Sequence, residues 1–246
     1  MTDPEIETAA AIETAAAIET VSALAEPQRR RLYCYVVAQP DAVSRDQAAT
    51  ATGLPRHTAK FHLDRLVDDE LLVAEFRRLG ARRGPGAGRP TKLYRRSPRE
   101  FEVSLPERRY DLAASVLAAA TEDTLTHGTH LADAVRAAAA AAGARAARSC
   151  DGDVLATLAG LGFEPRADAD VTTLVNCPFH RLAAAHPALT CGMSLDLVRA
   201  VLDARGEPAD RAVLDPAPER DRCCVVLHTP GSALTPGEGH DAPPVT

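Results

Sequence analysis

The sequence predicts an α+β chain in which a basic N-terminal unit, a pair of Ala-rich helices and a small mixed domain follow one another. Three observations lead there. Between Glu26 and Arg99 lie 16 of the chain's 28 Lys and Arg but only 8 of its 34 Asp and Glu, leaving 12 basic and 26 acidic residues elsewhere. Two long Ala-rich runs follow over 107–147, and Ala has the strongest helix propensity. Four of the six cysteines then fall after residue 170, among short β-branched runs. The net charge of −6 conceals the first of these features. A basic module on an acidic body is the layout expected of a nucleic-acid binder with a separate second domain.

The bulk composition bounds the rest. A chain of 246 residues is long enough for two modest domains. Its apolar fraction of 46% is largely Ala, and aromatics make up 4%, so closely packed Ala-rich helices are expected rather than a thick aromatic core. No run of eighteen apolar residues is free of charge and the N-terminal stretch is acidic, which argues against a membrane span or secretory signal. A cytoplasmic, reducing location is expected, and with it free thiols rather than structural disulfides.

Residues 1–20 contain the repeat IETAAAIETAAAIET, whose three Ile do not share a helix face because six residues advance about 240°. This segment is expected to be a low-complexity tail. Val21 to Val37 has helical periodicity, with Leu24, Leu32, Tyr35 and Val36 available for burial and Cys34 read as a small buried hydrophobe. After Pro40-Asp41, Ser44 and Gln47 fit a capping box that starts a short helix. Gly53 supplies the positive φ of a tight turn, and Pro55 stands at the start of a second helix, Arg56 to Val67. In that helix Ala59, Leu63, Leu66 and Val67 share an inner side, while His57, Lys60, Phe61 and Asp64 share the outer one.

Such a pair is a helix-turn-helix, whose second helix can enter a major groove. Leu71 to Arg78 then reads as a strand and Lys92 to Arg96 as its partner, joined by the basic, Gly-rich segment 80–90. A helix-turn-helix followed by a basic hairpin is the winged variant, and residues 21–99 are assigned to it. Arg56, His57 and Lys60 are the candidate groove contacts, flanked by Phe61 and Asp64, with Thr58 near a phosphate. Arg82, Arg83 and Arg89 are candidate wing contacts, and Lys92 of the second strand is grouped with them. The expected partner is double-stranded DNA.

A short strand is expected over 101–106, and then the Ala-rich helices, from Glu107 to about Leu117 and from Leu131 to Ala147. Residues 100–149 are assigned to homodimerisation, since paired half-sites call for a two-fold protein. Residues 150–229 read as a small α+β domain: a helix from Asp153 stopped by Gly162, strands near 163–166, 172–175, 212–214 and 223–227, and a helix from Ser194 to Ala204. Residues 230–246, rich in Pro and Gly, are expected to be disordered.

Cys177, His180, Cys191 and the Cys223–Cys224 pair stand where these elements begin or end, so they can converge on a metal. Adjacent residues of a strand point to opposite faces, so one of Cys223 and Cys224 is expected to face such a site. Oxidisable thiols without metal, core packing, and a Cys177–His180 thiolate–imidazole pair of a thiol enzyme are the alternatives. No Gly-rich phosphate loop, carboxylate pair or triad partner accompanies that pair, so an enzyme is not expected. Cys150 carries no reading; His127 and His130 read as part of a solvated loop between the Ala-rich helices, and His186 as a capping or surface residue.

The stretches GLPRHTAKFHLDRLVDDELL, GRPTKLYRR and NCPFHRLAAAHPALTCGM, with the later CCVVL, resemble the SufR-type regulators, relatives of the ArsR winged-helix group, over roughly residues 21–228. In that family, cysteines at comparable places hold an iron–sulfur cluster, and the dimer regulates cluster-assembly genes. The resemblance implies that Cys177 and Cys191 occupy the first two ligand positions and Cys223 or Cys224 the third; His180 has no counterpart in it and is a candidate donor on its position alone. Zinc is the alternative occupant. The function so implied is DNA-binding transcription regulation in which the C-terminal cysteines report a cluster, a metal or an oxidant.

Overall fold

The computed structural model of the protein describes residues 9–78, 90–215 and 222–229. They form an α+β molecule with two small antiparallel sheets, divided into a compact unit over 11–103 and a second from 104 onward.

The first unit begins with α1 (Ala9–Ser22) and α2 (Pro27–Val37), joined by a 3₁₀ turn over Ala23–Ala25. A single helix was expected from 21 to 37, but the chain breaks at Glu26-Pro27. Pro27 has no N–H to continue the upstream ladder. The Glu26 side chain instead accepts from the N–H groups of Gln28 (3.1 Å) and Arg29 (2.5 Å), starting a new helix. The repeat segment is helical from Ala9, with Ile18 exposed. Leu32 and Val36 are buried on α2, whereas Cys34, expected in the core, is exposed. Two residues from each, it sits about 200° around the helix from the buried stripe.

A two-residue strand β1 (Val43–Ser44) leads into α3 (Arg45–Thr52), α4 (Arg56–Asp68), β2 (Leu72–Arg77) and β3 (Thr91–Arg96). The capping box is present: the Ser44 hydroxyl accepts from the Gln47 N–H, and the Gln47 side chain accepts from the Ser44 N–H at 2.8 Å. Gly53 closes α3 at φ +67°, and Pro55 occupies the N-cap of α4. The strands order β1-β3-β2, with β2 and β3 paired from Leu72↔Arg96 to Arg77↔Thr91. Leu32, Val36, Ala48, Ala59, Leu63, Leu66 and Leu72 fill the core between helices and sheet.

The second unit opens with α5 (Tyr110–His127) and α6 (Leu131–Ser149), turning at Gly128. Residues 101–106, expected as a strand, form none, because no strand among the described residues takes up their backbone groups. Helix α7 (Val154–Gly160) has Asp153 as its N-cap, accepting from Ala156 N–H at 2.8 Å. Strands β4 (Pro165–Ala167) and β5 (Val171–Leu174), helices α8 (His180–Ala185) and α9 (Pro187–Ala204), and strands β6 (Ala212–Leu214) and β7 (Val225–His228) complete it. The sheet order is β4-β5-β7-β6. Helix α9 starts seven residues before the expected Ser194, since Pro187 fits the first helical turn, where its missing N–H costs nothing. One apolar cluster joins α5, α6, α7, α9 and the sheet, with Phe163 edge-on to Phe179 at 6.2 Å. The Ala-rich helices and the Cys-bearing region therefore share a core rather than forming the separate regions 100–149 and 150–229.

Candidate nucleic-acid surface and thiol cluster

On the outer side of α4, Arg56, His57, Lys60 and Phe61 are exposed, Phe61 at 64%, and Thr58 is partly covered. The inner residues Ala59, Leu63 and Leu66 are fully buried, as the periodicity requires. Arg56 pairs with Asp46 at the start of α3 through two bonds, Nε to Oδ1 at 2.7 Å and Nη2 to Oδ2. The Arg56 bonds hold the exposed Asp46 carboxyl below its ordinary range. Exposed ion pairs of this kind contribute little and exchange readily for other partners.

Asp64 and Lys92 behave differently from the rest of the surface. The Asp64 carboxylate accepts from Lys92 Nζ (2.6 Å), Lys60 Nζ (3.0 Å) and Tyr94 Oη (2.9 Å). Partial burial alone would raise its pKa, but these donors, led by Lys92, bring it down to about 2. Tyr94, buried and donating to that carboxylate, is pushed up. Asp64 thus ties α4 to β3, and Lys92 is oriented by it. Arg82, Arg83 and Arg89 lie outside the described residues.

In the second unit Cys177 follows β5, Cys191 lies in the first turns of α9, and Cys223 and Cys224 precede β7. The Cys223 N–H donates to Leu174 O at 2.9 Å, and the Asp215 N–H donates to Cys224 O at 2.7 Å, fixing the pair beside the ends of β5 and β6. Their thiols are electrostatically coupled in sequence: Cys177 with Cys223, Cys223 with Cys224, and Cys224 with Cys191. Both adjacent cysteines are thus coupled to a further thiol. The strict alternation of strand faces does not apply to them, because β7 begins only at Val225. Cys177 and Cys223 are buried at 7% and 1% exposure; Cys191 and Cys224 are partly exposed.

The thiols are not equivalent. A hydrogen bond from Cys223 lowers the pKa of Cys177, helped by a Phe179 backbone N–H and the Arg108 charge. Cys224 is lowered to about 7, first by its bond from Cys223, then by Cys191 and the charge of Arg222. Donating to those neighbours raises Cys223, and burial pushes Cys191 up to about 12.

Two arginines that the sequence reading passed over support this cluster. Arg108 donates to Cys177 O at 3.0 Å and to Asn176 Oδ1. Asn176, itself buried, donates to Glu107 O (2.8 Å) and Gly162 O (2.6 Å). Arg222 has a side chain only 9% exposed, donates to Cys223 O at 2.9 Å and pairs with Asp215. A basic residue immediately before a Cys-Cys pair was the available signal. His180 is exposed at the start of α8; its backbone N–H donates to Cys177 O, and no hydrogen bond among the described residues joins its ring to a thiol. His186 is the exposed N-cap of α9 without a side-chain bond, and His127 pairs with Asp123 at 2.9 Å.

Thiolates are the side chains that favour iron–sulfur clusters and zinc, but among the described residues no group of three or more His, Cys, Asp or Glu is placed to hold a metal ion, and all six cysteines are free. Among the described residues no helix is long and apolar enough to cross a membrane. Comparison of the chain with models of protein families, with curated proteins and with solved structures returns no match.

Proposed function

We propose that this protein is a dimeric DNA-binding transcription regulator of the SufR type, with a winged helix-turn-helix over 21–99 and a C-terminal thiol site that modulates operator binding. The observation that carries the reading is the run α3, Gly53 turn, α4, then the β2–β3 hairpin, with the exposed face of α4 lined by Arg56, His57, Lys60 and Phe61. Arg56 would reach base edges or phosphates, exchanging its exposed Asp46 partner for the more strongly charged backbone of a duplex, and Lys60, held by Asp64, would reach them beside it. Asp64 is removed from the contact surface by this reading and becomes the brace that orients Lys60 and Lys92.

Cys177, Cys191, Cys223 and Cys224 are the residues that would hold an iron–sulfur cluster, with zinc as the alternative. When bound, such a group supplies a metal-dependent crosslink between the end of β5, α9 and the start of β7. Arg108 and Arg222 offset thiolate charge at that point, and His180 is left outside. The test is anisotropy of a labelled duplex against the full chain, with Arg56→Ala/Lys60→Ala beside it. The double variant should weaken binding at least tenfold, and equal affinity would reject the groove assignment. Iron and zinc counts after anaerobic purification address the thiol site separately: replacing Cys177, Cys191, Cys223 and Cys224 together by Ala should remove the metal, and unchanged content would reject the assignment.

A further inference from the structure

We infer that, in the metal-free chain, hydroperoxide converts the four thiols into two specific disulfides, Cys177–Cys223 and Cys191–Cys224. Four cysteines allow three pairings. Pairing Cys223 with Cys224 is disfavoured by covalent geometry: α-carbons joined by a trans peptide stand about 3.8 Å apart, below the usual disulfide range. Of the other two, burial selects one: Cys177 and Cys223 are buried together in one apolar cluster, whereas Cys191 and Cys224 are both partly exposed. The backbone enforces the first pair, since Cys223 is clamped to Leu174 O, three residues before Cys177, and both side chains lie in the same apolar cluster. The second pair lies at its edge, between β7 and α9.

The chemistry is closed for each pair. A thiolate sulfur attacks one peroxide oxygen, the O–O bond breaks, and hydroxide or alkoxide leaves with the electron pair, giving a sulfenic acid. The neighbouring thiol attacks that sulfur, the S–S bond forms, the S–O bond breaks, and water leaves carrying the thiol's proton. Two thiols are oxidised by two electrons, and one peroxide is reduced. Because Cys191 and Cys224 are partly exposed while Cys177 and Cys223 are buried, the outer disulfide forms first. This inference rests on the thiol cluster and not on DNA binding or on any metal.

The experiment treats chelator-stripped full-length chain carrying Cys34→Ser and Cys150→Ser with hydrogen peroxide, quenches with iodoacetamide and maps tryptic peptides. Trypsin separates Cys177, Cys191 and the Cys223–Cys224 pair into peptides 167–181, 182–199 and one beginning at 223. The 182–199 peptide should join the last one early and the 167–181 peptide later, with a loss of four hydrogens in all. Cys223→Ser should keep the Cys191 crosslink and leave Cys177 alkylated; Cys224→Ser should do the reverse. Circular dichroism of each variant before oxidation confirms that folded protein is compared. A Cys177–Cys191 crosslink, a Cys223–Cys224 disulfide, exchange of partners between the two variants, or sulfinate in place of disulfide overturns the inference. Because no metal or DNA enters the assay, its failure is separable from failure of the regulatory reading.

Discussion

Asp64 shows how one side chain was open to two readings until its neighbours were known. On the outer face of α4 it looks like a polar residue for contact, yet three donors from α4 and β3 converge on it. Its folded pKa of about 2 lies below the ordinary value of 3.8. The stabilisation it contributes is therefore fully present above about pH 4 and is lost as pH falls through about 2. Asp64→Asn should cost about 1–2 kcal/mol at neutral pH, allowing for the solvent that reaches it. Urea titrations of both proteins should show that difference shrinking between about pH 4 and pH 2. A penalty independent of pH would assign the effect to packing instead of charge.

At the scale of elements, two glycines separate backbone conformation from space. Gly53 ends α3 at φ +67°, with nothing near the position of a β-carbon, so Gly53→Ala costs only the left-handed backbone, about 1–2 kcal/mol. Gly143 sits on α6 where a β-carbon would lie 2.2 Å from the Leu197 carbonyl oxygen of α9. The two helices must part to admit it, so Gly143→Ala should cost about 1–3 kcal/mol or more. Chemical denaturation followed in each unit should assign the first loss to 11–103 and the second to the unit from 104 onward. The same α6–α9 packing ties the Ala-rich helices to Cys191, which gives the proposed sensor a mechanical route into the proposed dimerisation helices.

For the whole molecule, the separation of charge is the controlling feature. With 16 basic residues against 8 acidic between Glu26 and Arg99, and the reverse bias elsewhere, association with a duplex should be driven largely by counterion release. The logarithm of affinity should fall linearly with the logarithm of salt, with a slope of about −3 or steeper, and Arg56→Ala/Lys60→Ala should flatten it. Sedimentation at micromolar concentration should give a dimer, since the exposed Leu125 and Leu131 at the α5–α6 turn lie unburied within one chain. A salt-independent affinity would remove the nucleic-acid reading altogether.

What the sequence by itself determined was whatever rests on neighbours along the chain. The Ser44–Gln47 capping box, the left-handed Gly53 and the inner stripe of α4 all follow from chemistry within a few residues. Tertiary structure decided the rest. It set Cys34 outside because Leu32 and Val36 already faced the core, began α9 at Pro187, and held Cys223 beside the end of β5, where the Leu174 carbonyl accepts its N–H ahead of β7. Those outcomes depend on which distant residue satisfies a buried N–H or fills a space, and that information is not carried by any single stretch of the chain.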